Sequence, residues 1–554
     1  MTLLNDLPQE ILINILSYLT TRDLCETLVV SSGFYSLASY PLLWARTPIN
    51  TIKVRCEGIS PLLKLPRFSK IVVLDLSYTG FRDTVATTIS SVAGCLVATE
   101  KDNSICSKYL IELFELIPKH PSLRELNMKK QDLCQVSPVH LIAEAVKGLI
   151  KVNLEFTRLT SLQSTVILSS SLSSSTLEDL NLAQNDLSKV LPELVAQAAT
   201  RLKKINLGET WLTTEHCVFL LTQTISSANL TDLRLSRVDL AEVPASLLGE
   251  AVQRLEKVDL EATNLVTSEL LLAVLRSVNA STTLRCLSLF IHCKVQQSRL
   301  VYQDVPPEVL AQAVSRLHKA NLAFNKLSND QCKAILTQSL KTLTLTNINL
   351  QDINLSKISP DLLAPAIARL RKVDLSSTKL TKEQCKALLN KCATSTTLKN
   401  MRLGMNNNIS VVDPDTLARA VCRLDNVDIC NNSLTTDQCT ALLQQMVTSP
   451  TLQVVNLKLN LLSDVPVHLL AEALSRLKKV NLWGCRISVD HCTALFTRVV
   501  MSRKLRFINL GGYNVDNTFC YPEKLMGVDQ QLIGRVKENV TIVYYPTGLH
   551  PRLW

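Results

Sequence analysis

The stretch Leu177-Glu-Asp-Leu180-Asn-Leu182-Ala-Gln-Asn185-Asp-Leu187 decides how this chain folds. Leu180 and Leu182 alternate with polar residues, the period of a short strand with one face turned inward. The frame returns as Leu370-Arg-Lys-Val373-Asp-Leu375-Ser-Ser-Thr378-Lys-Leu380. Comparable units begin near Ile71, Leu123, Leu149, Leu202, Leu230, Leu255, Leu284, Leu317, Leu340, Leu398, Leu424, Leu452, Leu477 and Leu505. That makes about sixteen copies, mostly alternating in length within a super-repeat of about 54 residues, and residues 82–122 have room for one degenerate copy. After each strand the period changes. In Leu380-Thr-Lys-Glu-Gln-Cys385-Lys-Ala-Leu388-Leu389, the residues Cys385, Leu388 and Leu389 share one helical face. A strand–helix unit of this size cannot bury its own apolar side, whereas stacked neighbours can. Strands about 4.8 Å apart on one side, with thicker helices on the other, make such a stack curve. The expectation is an α/β horseshoe, parallel strands on its concave face and helices on its convex face.

Composition agrees. Hydrophobic residues are 46% of the 554, charged residues 19% and aromatics 5%, so the core must be mainly Leu, Val, Ile and Ala. With 14 glycines, no GxGxxG or GxxxxGK[ST] occurs, which argues against a phosphate-cradling loop. The N-terminus lacks the basic and apolar regions of a secretory signal, and no apolar run reaches the roughly 18 residues of a membrane span. The 17 cysteines are odd in number and form no CxxC, and many recur at one repeat position, so a packing role in a reducing compartment is expected. The expected home is the cytoplasm or nucleus, where sequons such as Asn229-Leu-Thr carry no weight. A net charge of +11 lacks the dense clustering of a nucleic-acid binder, which is held as a weak third reading.

The extended unit, L-x-x-L-x-L-x-x-(N/T/C)-x-L-T-x-x-x-C-x-x-L, resembles the ribonuclease-inhibitor class of leucine-rich repeats. The matching cysteines are Cys217, Cys332, Cys385, Cys439 and Cys492. The Asn position is weakly kept: Asn at 185, 325, 406, 432 and 460, Thr at 157, 210, 263 and 378, with apolar residues at several others. An apolar residue there should interrupt the ladder that pairs buried backbone groups. The unit at Leu284 is irregular and an insertion near Val295 to Val305 follows it.

Residues 7–44 carry no repeat. Pro8 suits a first helical turn, Glu10 its positive end, and Ile11, Ile15, Leu16 and Leu19 form a stripe. Asp23 begins a second helix, and Phe34, Leu37 and Trp44 suggest a third apolar face. A helical bundle this short needs the repeats or a partner for stability. Leu7-Pro8-x-Glu10-Ile11, Asp23-Leu24 and Pro41-Leu42-Leu43-Trp44 resemble the F-box over roughly residues 3–47, with Ser32-Gly33 departing from the usual polar pair. The resemblance implies docking onto the adaptor subunit of an SCF-type cullin–RING ubiquitin ligase, and through it onto cullin, by Leu7, Pro8, Ile11, Ile15 and Leu16. It also implies that the repeats hold a substrate protein. A plain N-terminal cap for the repeats is the alternative.

The expected organisation is a helical F-box module at 1–47, a transition with degenerate first repeats at 48–122, a leucine-rich-repeat solenoid at 123–515 and a capping segment at 516–554. One polar column, from Asn127 and Asn153 through Asn181, Asn206, Arg234, Asp259, Ser288, Asn321, Thr344, Asp374, Arg402 and Asp428 to Asn456, Asn481 and Asn509, should face the concave side. It is either a ligand-facing floor or a ladder bonded to itself. Breaks in the polar rule are the candidate substrate contacts, since interfaces enrich aromatics and Arg. Phe156, Phe290 and Phe324 form one group, Arg234, Arg237, Arg402 and Met405 a second, and Lys458, Leu459, Trp483, Phe507 and Tyr513 the preferred third. The third group's rival role is contact with a closing strand at Val540–Tyr545. Arg201, Arg254, Arg316, Arg369, Arg423 and Arg476, with Lys204, Lys257, Lys319, Lys372 and Lys479 following three residues later, make a basic stripe that either steers an acidic partner or is a solvated ridge.

No HExxH, GxSxG or paired-carboxylate spacing appears, so no catalytic residue, metal or cofactor is expected. His216-Cys217 recurs as His491-Cys492 at the buried repeat position, which favours packing over a metal or nucleophile pair. The rival to a ligase subunit is a stand-alone binding inhibitor or sensor; the absent nucleotide loop disfavours the sensor.

Overall fold

This computed structural model describes residues 9–17, 36–38, 40, 43, 46–47, 73–76, 107–263, 267–289, 302, 304–405, 407–502, 504–511, 527–537 and 540–543. The chain divides into two units, Met1–Leu265 with Thr282–Leu284, and Val266–Ser281 with Arg285–Trp554.

In the first unit the strands β1 (Arg46–Thr47), β2 (Val73–Asp75), β3 (Glu125–Asn127), β4 (Lys151–Asn153), β5 (Asp179–Asn181), β6 (Lys204–Asn206), β7 (Asp232–Arg234) and β8 (Lys257–Asp259) pair in parallel and in chain order. The second unit repeats the plan with β9 (Cys286–Ser288), β10 (Lys319–Asn321), β11 (Asn347–Asn349), β12 (Lys372–Asp374) and β13 (Asn400–Arg402). It continues through β14 (Asn426–Asp428), β15 (Val454–Asn456), β16 (Lys479–Asn481) and β17 (Phe507–Asn509) to β18 (Thr541–Val543). The last pairing supplies the closing strand expected in Val540–Tyr545. From β2 to β17 each strand buries its middle residue, so its first and third residues share the opposite face.

One register expectation fails. Leu340-x-x-Leu343-x-Leu345 imitates the repeat frame, but the strand is Asn347–Asn349 in the frame Leu345-x-x-Ile348-x-Leu350. Leu343 is 88% exposed, and the open-face residue is Asn349, not Thr344. In-register pairing with β10 and β12 decides the frame, because a slipped strand would turn Ile348 out of the core.

The polar column is largely a turn device. The side-chain oxygens of Asn181, Asn206, Asp374, Asn456 and Asn481 each accept the backbone N–H two residues on, at 3.0–3.1 Å. The next turn residue adopts left-handed backbone: φ is 57–62° at Phe156, Gln184, Phe324, Met405 and Leu459. That conformation costs a non-glycine residue roughly 1 kcal/mol or more. It is held because each of these N–H groups bonds a carbonyl of the following repeat, as in Met405 N to Cys430 O at 2.8 Å. At the Asn position, Asn185 Nδ2 donates to Leu154 O at 2.7 Å and Leu182 O at 3.0 Å, while its Oδ1 accepts from Leu159 N at 3.1 Å. Thr157, Thr210, Thr263 and Thr378 substitute with a hydroxyl bond to the carbonyl three residues earlier. Asn406 lies outside the described residues.

The longer helices are tied to the preceding repeat at their first turn. Gln163, Gln331, Gln384 and Gln438 each complete a capping box and send Nε2 to two carbonyls of the repeat before. His216 and His491 occupy the same place. Nδ1 of His216 lies 2.7 Å from Thr213 Oγ1 and Nε2 lies 2.8 Å from Val190 O. Both ring nitrogens are therefore engaged in the fold. Cys217, Cys332, Cys385, Cys439 and Cys492 follow directly and are buried, as the packing expectation has it. Burial pushes the thiols of Cys217, Cys332, Cys385 and Cys439 up to about 12.

Candidate binding face

Helix and strand separate the basic stripe into two rows. The arginines end the shorter helices and reach back to carbonyls at the C-terminal end of the preceding longer helix. Arg369 Nη1 donates to Ser339 O at 2.6 Å, Arg423 Nε to Ser395 O at 2.8 Å and Arg254 Nη2 to Ser227 O at 3.2 Å. Arg201, Arg316 and Arg476 do likewise. These carbonyls are otherwise orphaned at a helix end and carry its negative pole, so a guanidinium suits them. The row is a repeat-to-repeat clamp, where the sequence reading had a steering surface or a solvated ridge.

The lysines, three residues on, begin the strands and stand on the open face. In the first unit they alternate in register with acids: Glu125, Lys151, Asp179, Lys204, Asp232, Lys257. Lys151 Nζ approaches Asp179 Oδ2 at 3.9 Å, and burial raises the Asp179 carboxyl against the pull of Lys151 and Lys204. This row neutralises itself. In the second unit the same row reads Cys286, Lys319, Asn347, Lys372, Asn400, Asn426, Val454, Lys479, Phe507. Its cations are separated by neutral side chains.

Lys372, Arg402 and Lys479 border a concavity of about 260 Å³ whose polar lining includes Asn400, Asn426 and Asp428. Arg402 Nη1 lies 3.4 Å from Asp374 Oδ2. Burial, followed by the Arg402 charge, lowers the Lys372 pKa. Next to this site Lys458 Nζ sits 4.3 Å from the Trp483 ring centre, a cation–π pair joining two neighbouring repeats.

The sequence-designated contacts are dispersed over this geography. Arg402 lies in the concavity. Met405 (53% exposed) and Leu459 (37%) project from left-handed turns at the edge of the sheet. Trp483 does not stand exposed as expected: it is 6% exposed, because the strand exit folds it inward beneath Lys458. Phe507 is half-buried at the start of β17. Phe290 and Tyr513 lie outside the described residues. Of the other aromatics, Phe156 and Phe324 are exposed at turn positions. Lys372 and Lys479 entered the sequence reading only in the basic stripe, and Asn400 and Asn426 were not singled out. The signal for them was the switch from helical to strand period between each Arg and the Lys that follows.

At the N-terminal end Gln9–Leu16 is helical. Ile11 is 47% exposed and Leu16 is 5% exposed. Five residues at about 100° each place these two on different sides of a helix, so Leu16 turns inward and shares its face with Leu12, a residue the stripe overlooked. Leu7 and Pro8 lie outside the described residues, as does the side chain of Ile15. The strand β1 follows and pairs with β2, Arg46 opposite Val73 and Thr47 opposite Leu74.

Comparison with known proteins agrees with both parts. A profile of the F-box-like family matches residues 4–47. The ribonuclease inhibitor of Mus musculus is 26% identical over 352 residues, which is 60% of this chain and 76% of that protein. The ribonuclease inhibitor of Sus scrofa is 25% identical over 352 residues, with the same coverage.

Proposed function

Taking the chain as an F-box-like segment joined to leucine-rich repeats, we propose that it is the substrate-recognition subunit of an SCF-type cullin–RING ubiquitin ligase, acting in the cytoplasm or nucleus. The observation that carries this is the junction. The F-box-like match ends at residue 47, and Arg46–Thr47 is already a strand paired with β2 of the repeat sheet. The helix Gln9–Leu16 offers Ile11 outward, and the F-box resemblance adds Leu7, Pro8 and Ile15 to the residues that meet the adaptor in this reading. The chain contributes no bond chemistry in this reading. It raises the local concentration of a bound substrate beside the ligase and orients it.

Co-purification with the SCF adaptor subunit tests the reading. The unaltered chain is expected to retain the adaptor, and Ile11→Glu combined with Pro8→Ala to lose it. Failure of the unaltered chain to bind, or full retention by the double variant, rejects the proposal.

A second reading, a stand-alone binding inhibitor, draws on the similarity to the two ribonuclease inhibitors. Proteasome inhibition separates the two. A ligase substrate captured by this chain accumulates, whereas the target of a pure inhibitor does not change in abundance.

A further inference from the structure

We propose that the open face of β12–β16 seats an acidic stretch of an extended polypeptide, its carboxylates or phosphates meeting Lys372, Arg402 and Lys479. The inference rests on the reading of the repeats as the part that holds a partner protein, and it assigns the chemistry of that partner.

The argument starts from the contrast between equivalent rows. Where the repeats need only to stack, the first strand position alternates in sign, as from Glu125 to Lys257. An in-register parallel sheet sets neighbouring positions about 4.8 Å apart, so alternation is the cheap way to place lysines there. The second unit keeps the lysines and omits the acids. Asn347, Asn400, Asn426 and Val454 occupy the intervening places. Among the described residues no ion pair within 4 Å holds Lys319, Lys372 or Lys479, nor Lys204 or Lys257, so the rows differ in the sign of the neighbouring positions and not in pairs formed. Arg402, 3.4 Å from Asp374, adds a further cation to the same concavity. Burial first, and the Arg402 charge second, lower the Lys372 pKa, and an incoming anion offsets the second of these.

The shape points the same way. Asn400 and Asn426 lie between the cations; Asn426 Nδ2 donates to Asn400 Oδ1 at 3.1 Å, and Asn400 Nδ2 and Asn426 Oδ1 can bond the backbone of an extended chain. Nucleic acid fits worse. The nearby Trp483 is too buried to stack a base.

The test uses the full chain, a short fluorescent polyglutamate peptide, its polyglutamine counterpart, a phosphoserine peptide and a single-stranded oligonucleotide, read by anisotropy. Polyglutamate should bind and polyglutamine should not, with affinity falling as salt rises. Lys372→Glu with Lys479→Glu should weaken binding by about tenfold or more, and the milder Lys372→Gln with Lys479→Gln by several-fold. Lys204→Gln with Lys257→Gln, on the self-neutralised row, should change it by less than about twofold. Thermal melts establish that each variant folds. A preference for phosphoserine over glutamate identifies phosphate as the recognised group, and equal binding identifies carboxylate; either supports the site. No binding of either acidic peptide, an unchanged affinity in the folded Lys372/Lys479 variants, or tighter oligonucleotide binding through the same residues overturns it. Adaptor capture is measured on the same proteins. Its failure with peptide binding intact rejects the ligase reading alone, and the reverse rejects the acidic ligand alone.

Discussion

Gln384→Ala is the sharpest test of how one repeat is fastened to the next. Gln384 is buried at the first turn of the helix Lys382–Thr394. Its Nε2 donates to Leu355 O at 2.8 Å and Ile358 O at 2.5 Å, and its Oε1 accepts from Thr381 N at 2.7 Å. Truncation removes three hydrogen bonds with a net worth of roughly 1 kcal/mol each. It also leaves two carbonyls and an amide buried, which adds to the cost unless water enters the space. The expected loss is about 3–4 kcal/mol. Gln384→His should cost only about 1 kcal/mol, since His216 and His491 already serve this position with both ring nitrogens. Gln384→Glu should be at least as damaging as alanine near neutral pH, because it faces two carbonyl oxygens with a carboxylate. That carboxyl gains a raised folded-state pKa, so the defect should shrink as the pH falls and the group is protonated. Repeat arrays need not unfold in one step, so the assay is hydrogen–deuterium exchange over Pro360–Ala368 and Lys382–Thr394, with urea unfolding beside it. Unchanged exchange in Gln384→Ala, or a glutamate variant as protected as the parent, would falsify the clamp.

Two further outcomes follow from burial and from backbone shape. Cys217, Cys332, Cys385 and Cys439 hold thiol pKa values pushed up to about 12, so the native chain should resist alkylation at these sites at pH 8 and react only on unfolding. Their folded pKa lies above the unfolded value, so the stability they contribute is full below about pH 9 and is lost as pH rises toward 12; an alkaline titration of helical circular dichroism that shows no such decline contradicts this. Gly484 has φ of +72°, and an added Cβ would lie 2.7 Å from Leu459 Cδ2. Gly484→Ala should cost about 1–2 kcal/mol, read by urea unfolding, with part of the loss recovered in the Leu459→Ala background; equal stability of Gly484→Ala and the parent refutes it.

Leucine spacing made the strands legible because each repeat must bury the same positions to stack. It failed where a second leucine set mimicked the frame. Leu340 and Leu343 satisfy the pattern locally, and only pairing with β10 and β12 selects Leu345. The Arg-and-Lys stripe was visible as one feature and proved to be two, because three residues across a helix end carry the chain from the helix to the sheet. Trp483 was singled out as an aromatic at a strand exit. Whether such a side chain points out or in depends on the neighbour that covers it, here Lys458 from the preceding repeat. The N-terminal helix shows the same limit. Ile11, Leu12, Ile15 and Leu16 are all apolar, and periodicity cannot say which pair turns inward until something packs against it.

The repeats also explain why ligand chemistry can differ between equivalent strands without endangering the fold. Stacking commits the middle strand residue to the core, the third largely to the Asx turn, the Asn or Thr position to buried backbone groups, Gln or His to the helix start and Arg to the preceding helix end. The first strand residue has no such duty. It accepts Glu, Lys, Asp, Cys, Asn, Val or Phe in different repeats. The left-handed turn residue is similarly open, holding Phe156, Gln184, Met405 or Leu459. Function can therefore be written at these two positions while the others stay fixed. A row that keeps its lysines and loses the acids beside them is the signature expected when the missing negative charge is to come from outside the chain.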